Sequence, residues 1–291
     1  MSDIPSIQWF PGHMTKTGRV IEKCLPLVDA VVEITDARIP MSSKNPNLAR
    51  MIAGKPRLVI LNKCDAADPE ATSKWLDWYK KQGIRAIAAD CRTGKGLKSV
   101  IPEVKILLAD QIKKFEAKGM RGRILHLMVV GVPNVGKSSF INKMAGQNKA
   151  KVEDRPGVTR EKQWVKLDSD VELLDMPGVL WPKFEDMSVG EKLAFTGAVK
   201  DDVVDIEALA CRLLAMLAEK YPERLKERYK LTSLEGDGWE LLQAVGRKRG
   251  MLISGGEVNT ERAAITVLDE FRSGKLGRIT LELPSEYEVK E

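Results

Sequence analysis

This chain has few histidines, cysteines and aromatic side chains. Among 291 residues there are two histidines (His13, His126), four cysteines and 5% aromatics. Cys24, Cys64, Cys91 and Cys211 are scattered and form no CxxC. That pattern argues against a disulfide framework or a zinc site and fits a reducing cytoplasm. No apolar run approaches the roughly 20 residues that a membrane helix needs. The opening "MSDIPSIQWFPGHM" has no basic stretch leading into an apolar one, and it lacks the Arg- and Ser-rich character of a transit peptide. Repeats and low-complexity tracts are absent. What remains is a globular chain, expected to be cytoplasmic and monomeric, long enough for one large or two ordinary domains.

Charge is present but uneven. The net charge is +6, and residues 206–291 hold 14 basic against 15 acidic side chains. The basic excess therefore sits in the first two-thirds, with local clusters at Lys113, Lys114, Lys118, Arg121 and Arg123, and at 247–249. Each is an ordinary solvated face or a contact for a polyanion.

Apolar runs at 28–35, 58–61, 86–89 and 125–130 read as buried strands, and "DSD" joins two more at 163–167 and 171–174. Helical patterns over 70–82, 97–118 and 139–145 alternate with them, which predicts an α/β fold with a parallel sheet. "KGMRGR" (118–123) reads as a linker. Beyond about residue 200 the pattern turns helical. Apolar residues at 206, 209, 210, 213, 214 and 217 mark one helix face. Further helices are expected over 239–245 and 261–271, and Ser188 with Glu191 reads as a capping box. The tail "RITLELP" looks strand-like. The expected division is 1–190, an α/β domain with an N-terminal extension, and 191–291, a small mostly helical domain.

Three motifs carry chemistry. "GVPNVGKS" (131–138) matches GxxxxGK[ST] between an expected strand and helix, the context that a phosphate-binding loop requires. Backbone N–H groups and the helix N-terminus would face phosphate oxygens, so Asn134, Val135, Gly136, Lys137, Ser138 and Ser139 are candidate nucleotide contacts. Lys137 would neutralise β/γ charge and Ser138 would hold Mg²⁺. "DMPG" (175–178) is DxxG at a strand end, with Asp175 toward Mg²⁺ and the Gly178 N–H toward a γ-phosphate. Thr159 of "PGVT" lies between the two, where a switch threonine closes on the metal. "NKCD" (62–65) ends a strand. There Asp65 can accept from guanine N1–H and N2–H₂, a pair that adenine does not offer, which disfavours ATP. Asn62 would brace the loops and the Lys63 stem would lie over the base. "AADCRTGKG" (88–96) is a looser second guanine loop.

The order is unusual: guanine loop, second guanine loop, phosphate loop, switch threonine, DxxG. Ordinary GTPases begin with the phosphate loop. The expected fold is thus a circularly permuted P-loop GTPase domain (G4-G5-G1-G2-G3 order), followed by the helical domain. Permutation is tolerated where the original termini lie close and exposed.

With "WFPGHM", "DAR" (36–38), NKCD, GVPNVGKS, PGVT and DMPG in that order, the chain resembles the ribosome biogenesis GTPase A (YlqF-type) family over nearly its whole length. The resemblance implies GTP hydrolysis to GDP, coupled to late assembly of the large ribosomal subunit and stimulated by the pre-ribosomal particle, with rRNA and ribosomal proteins as partners. Val179 stands where many GTPases carry a water-positioning Gln, and an apolar side chain cannot orient water. The resemblance offers His13 as a substitute; a structural histidine or an RNA contact is the alternative. Asn134 resembles the potassium-coordinating Asn of cation-activated GTPases, which implies K⁺ as a further cation. Two other readings stay open. One is a nucleotide-gated RNA-binding module in which hydrolysis is incidental. The other is a GTPase of tRNA modification or ion transport.

Overall fold

The computed structural model describes residues 13–146, 164–180 and 186–287, with side chains from Thr17 onward. The chain divides into two compact units. The larger comprises, among the described residues, 13–65, 69–146, 164–180 and 282–287. The smaller comprises, among the described residues, 66–68 and 186–281.

In the larger unit a six-stranded sheet has the order β3-β2-β1-β4-β6-β5, where β1 is Ala30–Asp36, β2 Arg57–Asn62, β3 Arg85–Ala88, β4 Leu125–Val130, β5 Trp164–Asp168 and β6 Val171–Asp175. All pairings are parallel except the β5–β6 hairpin at the edge. All seven residues of β1 are buried, as a central parallel strand covered on both faces should be. From β1 the chain builds outward through β2 to β3, then returns to lay β4 on the other side of β1. The switch point therefore falls between β1 and β4, and ligands of such sheets bind at the carboxyl ends of strands there.

Helices α1 (His13–Cys24), α2 (Pro46–Met51), α3 (Pro69–Lys81), α4 (Val100–Leu107), α5 (Ala109–Ala117) and α6 (Lys137–Met144) belong to this unit. The single helix expected over 97–118 is broken. A 3₁₀ turn covers Leu97–Ser99, and α4 and α5 meet at Leu108, which departs to φ −100°, ψ 10°. The expected linker is an exposed loop between α5 and β4. It turns on Gly119 (φ 79°) and Gly122 (φ 71°). Arg123 anchors its end by pairing with buried Asp29 at 3.0 Å and lying 4.0 Å over the Phe115 ring.

The smaller unit is helical: α7 (Met187–Phe195), α8 (Ile206–Lys220), α9 (Pro222–Tyr229), α10 (Gly238–Lys248) and α11 (Thr260–Arg272). Helix α8 is its centre. Leu209, Ala210, Leu213, Leu214 and Leu217 are buried, the face that the spacing predicted. The cap of α7 is Asp186, whose side chain accepts from the Ser188 N–H, so the expected capping box on Ser188 does not form. Helix α10 carries a capping box between Asp237 and Glu240. The strand-like tail forms no strand. It is an extended tie: Thr280 Oγ1 accepts from Asp68 N, Ala66 O accepts from Ile279 N, and Leu281 O accepts from Lys220. Among the described residues no helix is long and apolar enough to cross a membrane.

Candidate functional site

Four strands of the larger unit deliver the singled-out residues to one edge of the sheet. β4 runs into the 131–136 loop, β2 ends at Asn62, β6 ends at Asp175 and β1 ends at Asp36. The loop after β4 needs its glycines. Gly136 has φ 103°, and a Cβ there would sit 2.2 Å from Asn62 Nδ2. A Cβ on Gly131 (φ 154°) would sit 2.5 Å from Ile34 O. Asn134 adopts φ 56°, a region that Asn tolerates better than most residues. The turn leads straight into α6, so Ser138 and Ser139 stand exposed in its first turn. Lys137 folds back instead: it is 8% exposed, and its Nζ donates to Val132 O at 2.8 Å and Gly131 O at 3.2 Å. Burial pushes the Lys137 ammonium down to about 8, against the attraction of the Asp175 carboxylate.

Asn62 joins three loops. Its Nδ2 donates to Val135 O at 2.7 Å, and its Oδ1 accepts from Cys91 N at 2.9 Å. One buried amide thus ties the NKCD loop to both the 131–136 loop and the 88–96 loop. The latter is pinned by Asp90, which accepts from Arg92 N, Thr93 N and Thr93 Oγ1. Burial would raise the Asp90 carboxyl, but these bonds, Thr93 first, hold it below its ordinary value. Asp65 is partly exposed and meets Arg92 Nη2 at 3.3 Å.

Lys63 adopts φ 61°, which costs an ordinary residue about 1–2 kcal/mol. Its ammonium pairs with Asp36 Oδ2 at 2.9 Å. Asp36 also holds Arg38, through Nε to Oδ1 at 2.9 Å and Nη2 to Oδ2 at 2.8 Å. Both Asp36 and Arg38 are almost wholly buried. Burial alone would raise the Asp36 carboxyl; Arg38 and then Lys63 hold it well below the usual carboxylate range. Neither Asp36 nor Arg38 is among the site residues expected from the sequence; "DAR" at a strand end is the signal that marks them.

The DMPG segment packs on the same loop. A Cβ on Gly178 would lie 2.8 Å from Lys137 Nζ and 2.9 Å from Pro133 Cα. Val179 is 8% exposed; its N–H donates to Gly131 O at 3.3 Å, and its O accepts from Asn45 Nδ2 at 3.0 Å. Asn45, missed in the sequence, also caps α2 through Oδ1. The β1–α2 loop is held from another side by buried Glu282, which accepts from Met41 N at 2.8 Å and from the Ser42 N–H and hydroxyl.

The structure therefore brings together Asn62, Lys63, Asn134, Val135, Gly136, Lys137, Gly178 and Val179, with Ser138, Ser139 and Asp175 on the same elements. His13 opens α1, and its side chain is not described. Thr159 lies outside the described residues.

Comparison with known proteins finds similar chains over nearly the full length. The family described as 50S ribosome-binding GTPase matches residues 126–234. The chain is 49% identical to Ribosome biogenesis GTPase A of Priestia megaterium, over 97% of this chain and 99% of that one. It is 32% identical to the Thermotoga maritima protein of the same name, over 96% and 95%, and 35% identical to mitochondrial ribosome-associated GTPase 1 of Xenopus tropicalis, over 94% of each. A solved structure of GDP-bound TM YlqF matches with a TM-score of 0.69 at 30% identity, covering 92% of this chain and 100% of that one. The GNP-bound YlqF from T. maritima matches at 0.65, with 92% and 98% covered. The permuted loop order, the shared sheet edge and these full-length likenesses lead to one conclusion: the chain belongs to the ribosome biogenesis GTPase A family of circularly permuted GTP hydrolases.

Proposed function

We propose that this GTPase acts in the cytoplasm, as a monomer, in late assembly of the large ribosomal subunit, with hydrolysis stimulated by the pre-ribosomal particle. The observation that carries the second half is Val179. It is apolar and buried, and its backbone N–H and O are already taken by Gly131 and Asn45. The position after DMPG thus presents no side chain that orients water. The names of the relatives support the ribosomal half.

In this reading Asp65 accepts from the guanine edge, Asn62 braces the base-reading loops, and the Lys63 stem covers the ring. N–H groups of 134–139 cradle phosphate oxygens. Lys137 exchanges its bonds to Val132 O and Gly131 O for β/γ oxygens, and the Gly178 N–H meets the γ-phosphate. Ser138, Asp175 and Thr159 are the Mg²⁺ ligands; hydroxyl and carboxylate oxygens are the hard donors that this ion prefers. Mg²⁺ supplies charge neutralisation on the phosphates. Asn134 holds K⁺, and His13 orients the attacking water. Two units of the chain divide the work: the α/β unit hydrolyses, and the helical unit contacts rRNA and ribosomal protein. Arg247, Lys248, Lys275 and Arg278 are among its exposed cations, and Arg249 also pairs with Glu270 at 3.0 Å.

The test is GTP turnover alone, with purified large subunits, and with small subunits, in K⁺ and then Na⁺ buffer. The expected result is strong stimulation by large subunits only, lost in Na⁺ and in H13A. Equal turnover with and without subunits removes the ribosome as activator and leaves a nucleotide-gated RNA-binding module. Turnover indifferent to K⁺ or to H13A removes the corresponding role.

A further inference from the structure

We propose that Asp36 is a positioning residue for guanine binding: it tethers the Lys63 ammonium, so that the lysine stem is held at both ends as a preformed shelf for the base. The inference rests on the guanine reading of NKCD given above.

Three observations carry it. First, Asp36 and Asn62 are register partners at the ends of adjacent parallel strands, and the Ala37 N–H donates to Asn62 O at 2.8 Å. The tether and the guanine loop therefore spring from one rigid platform. Second, Lys63 is constrained at its other end by its left-handed backbone, φ 61°, a conformation that non-glycine residues adopt only when surroundings enforce it. Third, Asp36 does not need Lys63 for neutralisation. Arg38 already engages both carboxylate oxygens, in the two-point geometry that guanidinium and carboxylate share. Arg38 is 1% exposed, so the pair is a fixed internal unit. Lys63 joins it at 2.9 Å as a second cation on one carboxylate. An ion pair built only for stability would stop at Arg38. The added lysine gains a fixed position for its apolar stem.

A lysine side chain otherwise samples many rotamers, and freezing them on binding weakens affinity. A tether present beforehand removes that loss. The loss avoided for one long side chain corresponds to roughly three- to tenfold in affinity.

The experiment is equilibrium binding of fluorescent GDP to the full chain, for wild type, D36N, K63M and the double variant, with thermal unfolding recorded for each. Met keeps an apolar stem of similar reach and removes the tethered charge. The expected result is a three- to tenfold weakening in D36N, a similar weakening in K63M, and no further loss when D36N is added to K63M. A purely structural Asp36 would lower the melting temperature in both backgrounds and weaken GDP binding by the same factor with and without Lys63; that multiplicative result overturns the proposal. So does unchanged affinity in D36N. If D36N does not fold, K63M decides alone, because the Lys63 side chain is a quarter exposed and its replacement leaves Asp36 paired with Arg38; full affinity in K63M overturns the tether. A folded wild-type chain that binds no GDP would instead overturn the guanine reading itself.

Discussion

The two ends of the nucleotide site are built on different principles. At the guanine end the buried polar groups are bonded to fixed partners: Asn62 to two other loops, Asp36 to Arg38 and Lys63, and Asp90 within the 88–96 loop. At the phosphate end, Lys137 donates to the carbonyls of its own loop, and Val179 is held through its backbone, with its O accepting from Asn45 Nδ2. A fully bonded network fixes one geometry, whereas lysine-to-carbonyl bonds are readily exchanged for bonds to phosphate. On the proposed reading, base selection rests on the bonded guanine end, while turnover would depend on rearrangement at the phosphate end. That division suits an enzyme that awaits a partner.

The largest test of this contrast is at Asp65. On the guanine reading, D65N replaces one of two acceptor oxygens with a donor opposite guanine N1–H and N2–H₂. The expected loss is on the order of 10²–10⁴-fold in GDP affinity, partly recovered with xanthosine diphosphate, whose C2 oxygen accepts from the new amide. Competition binding with the two nucleotides measures it. Next is N62A. It orphans Val135 O and the Cys91 N–H in a buried place, so unfolding stability should fall by about 2–4 kcal/mol and GDP affinity by roughly 100-fold. Urea unfolding and fluorescent-GDP titration separate the two effects. If N62A weakened binding without lowering stability, the brace would be less internal than its bonds suggest.

At the phosphate end the expected effects are smaller and of another kind. Burial sets the free Lys137 ammonium near 8, and a bound phosphate stabilises its charged form and raises that value. Binding above pH 8 should therefore take up a proton, and affinity should fall as pH rises through 8, by no more than tenfold per unit. Calorimetry in buffers of different ionisation heat reads the proton uptake directly; none at pH 8.5 would contradict the assignment. Smallest is D237A in the helical unit. Loss of the α10 cap should cost about 1 kcal/mol and leave GDP affinity unchanged.

Much of this was legible in the sequence because strong local patterns coincide with strong physical constraints. The buried face of α8 follows its 206–217 spacing, and the strand ends follow the apolar runs that stop at NKCD, GVPNVGKS and DMPG. Other features were not legible. The break at Leu108 involves no glycine or proline, so amphipathic spacing runs through it unmarked. Asp186 takes the α7 cap from Ser188 because both residue types cap well, and only the path of the chain decides. "RITLELP" has strand composition but spends its backbone on Ala66 and Lys220. The bonds from Asp36 to Lys63 and from Asn45 to Val179 span 27 and 134 residues, and no short window of sequence contains such a pair.

The most direct test of the central claim is displacement of fluorescent GDP from the wild-type chain by GTP, inosine triphosphate and ATP. A guanine end fixed in advance predicts displacement by GTP at a concentration at least about 100-fold below that for ATP. Inosine triphosphate, which lacks the N2 amine but keeps N1–H, should fall between them. Equal displacement by ATP and GTP would contradict the account, because the Asp65 carboxylate would then not be reading the base.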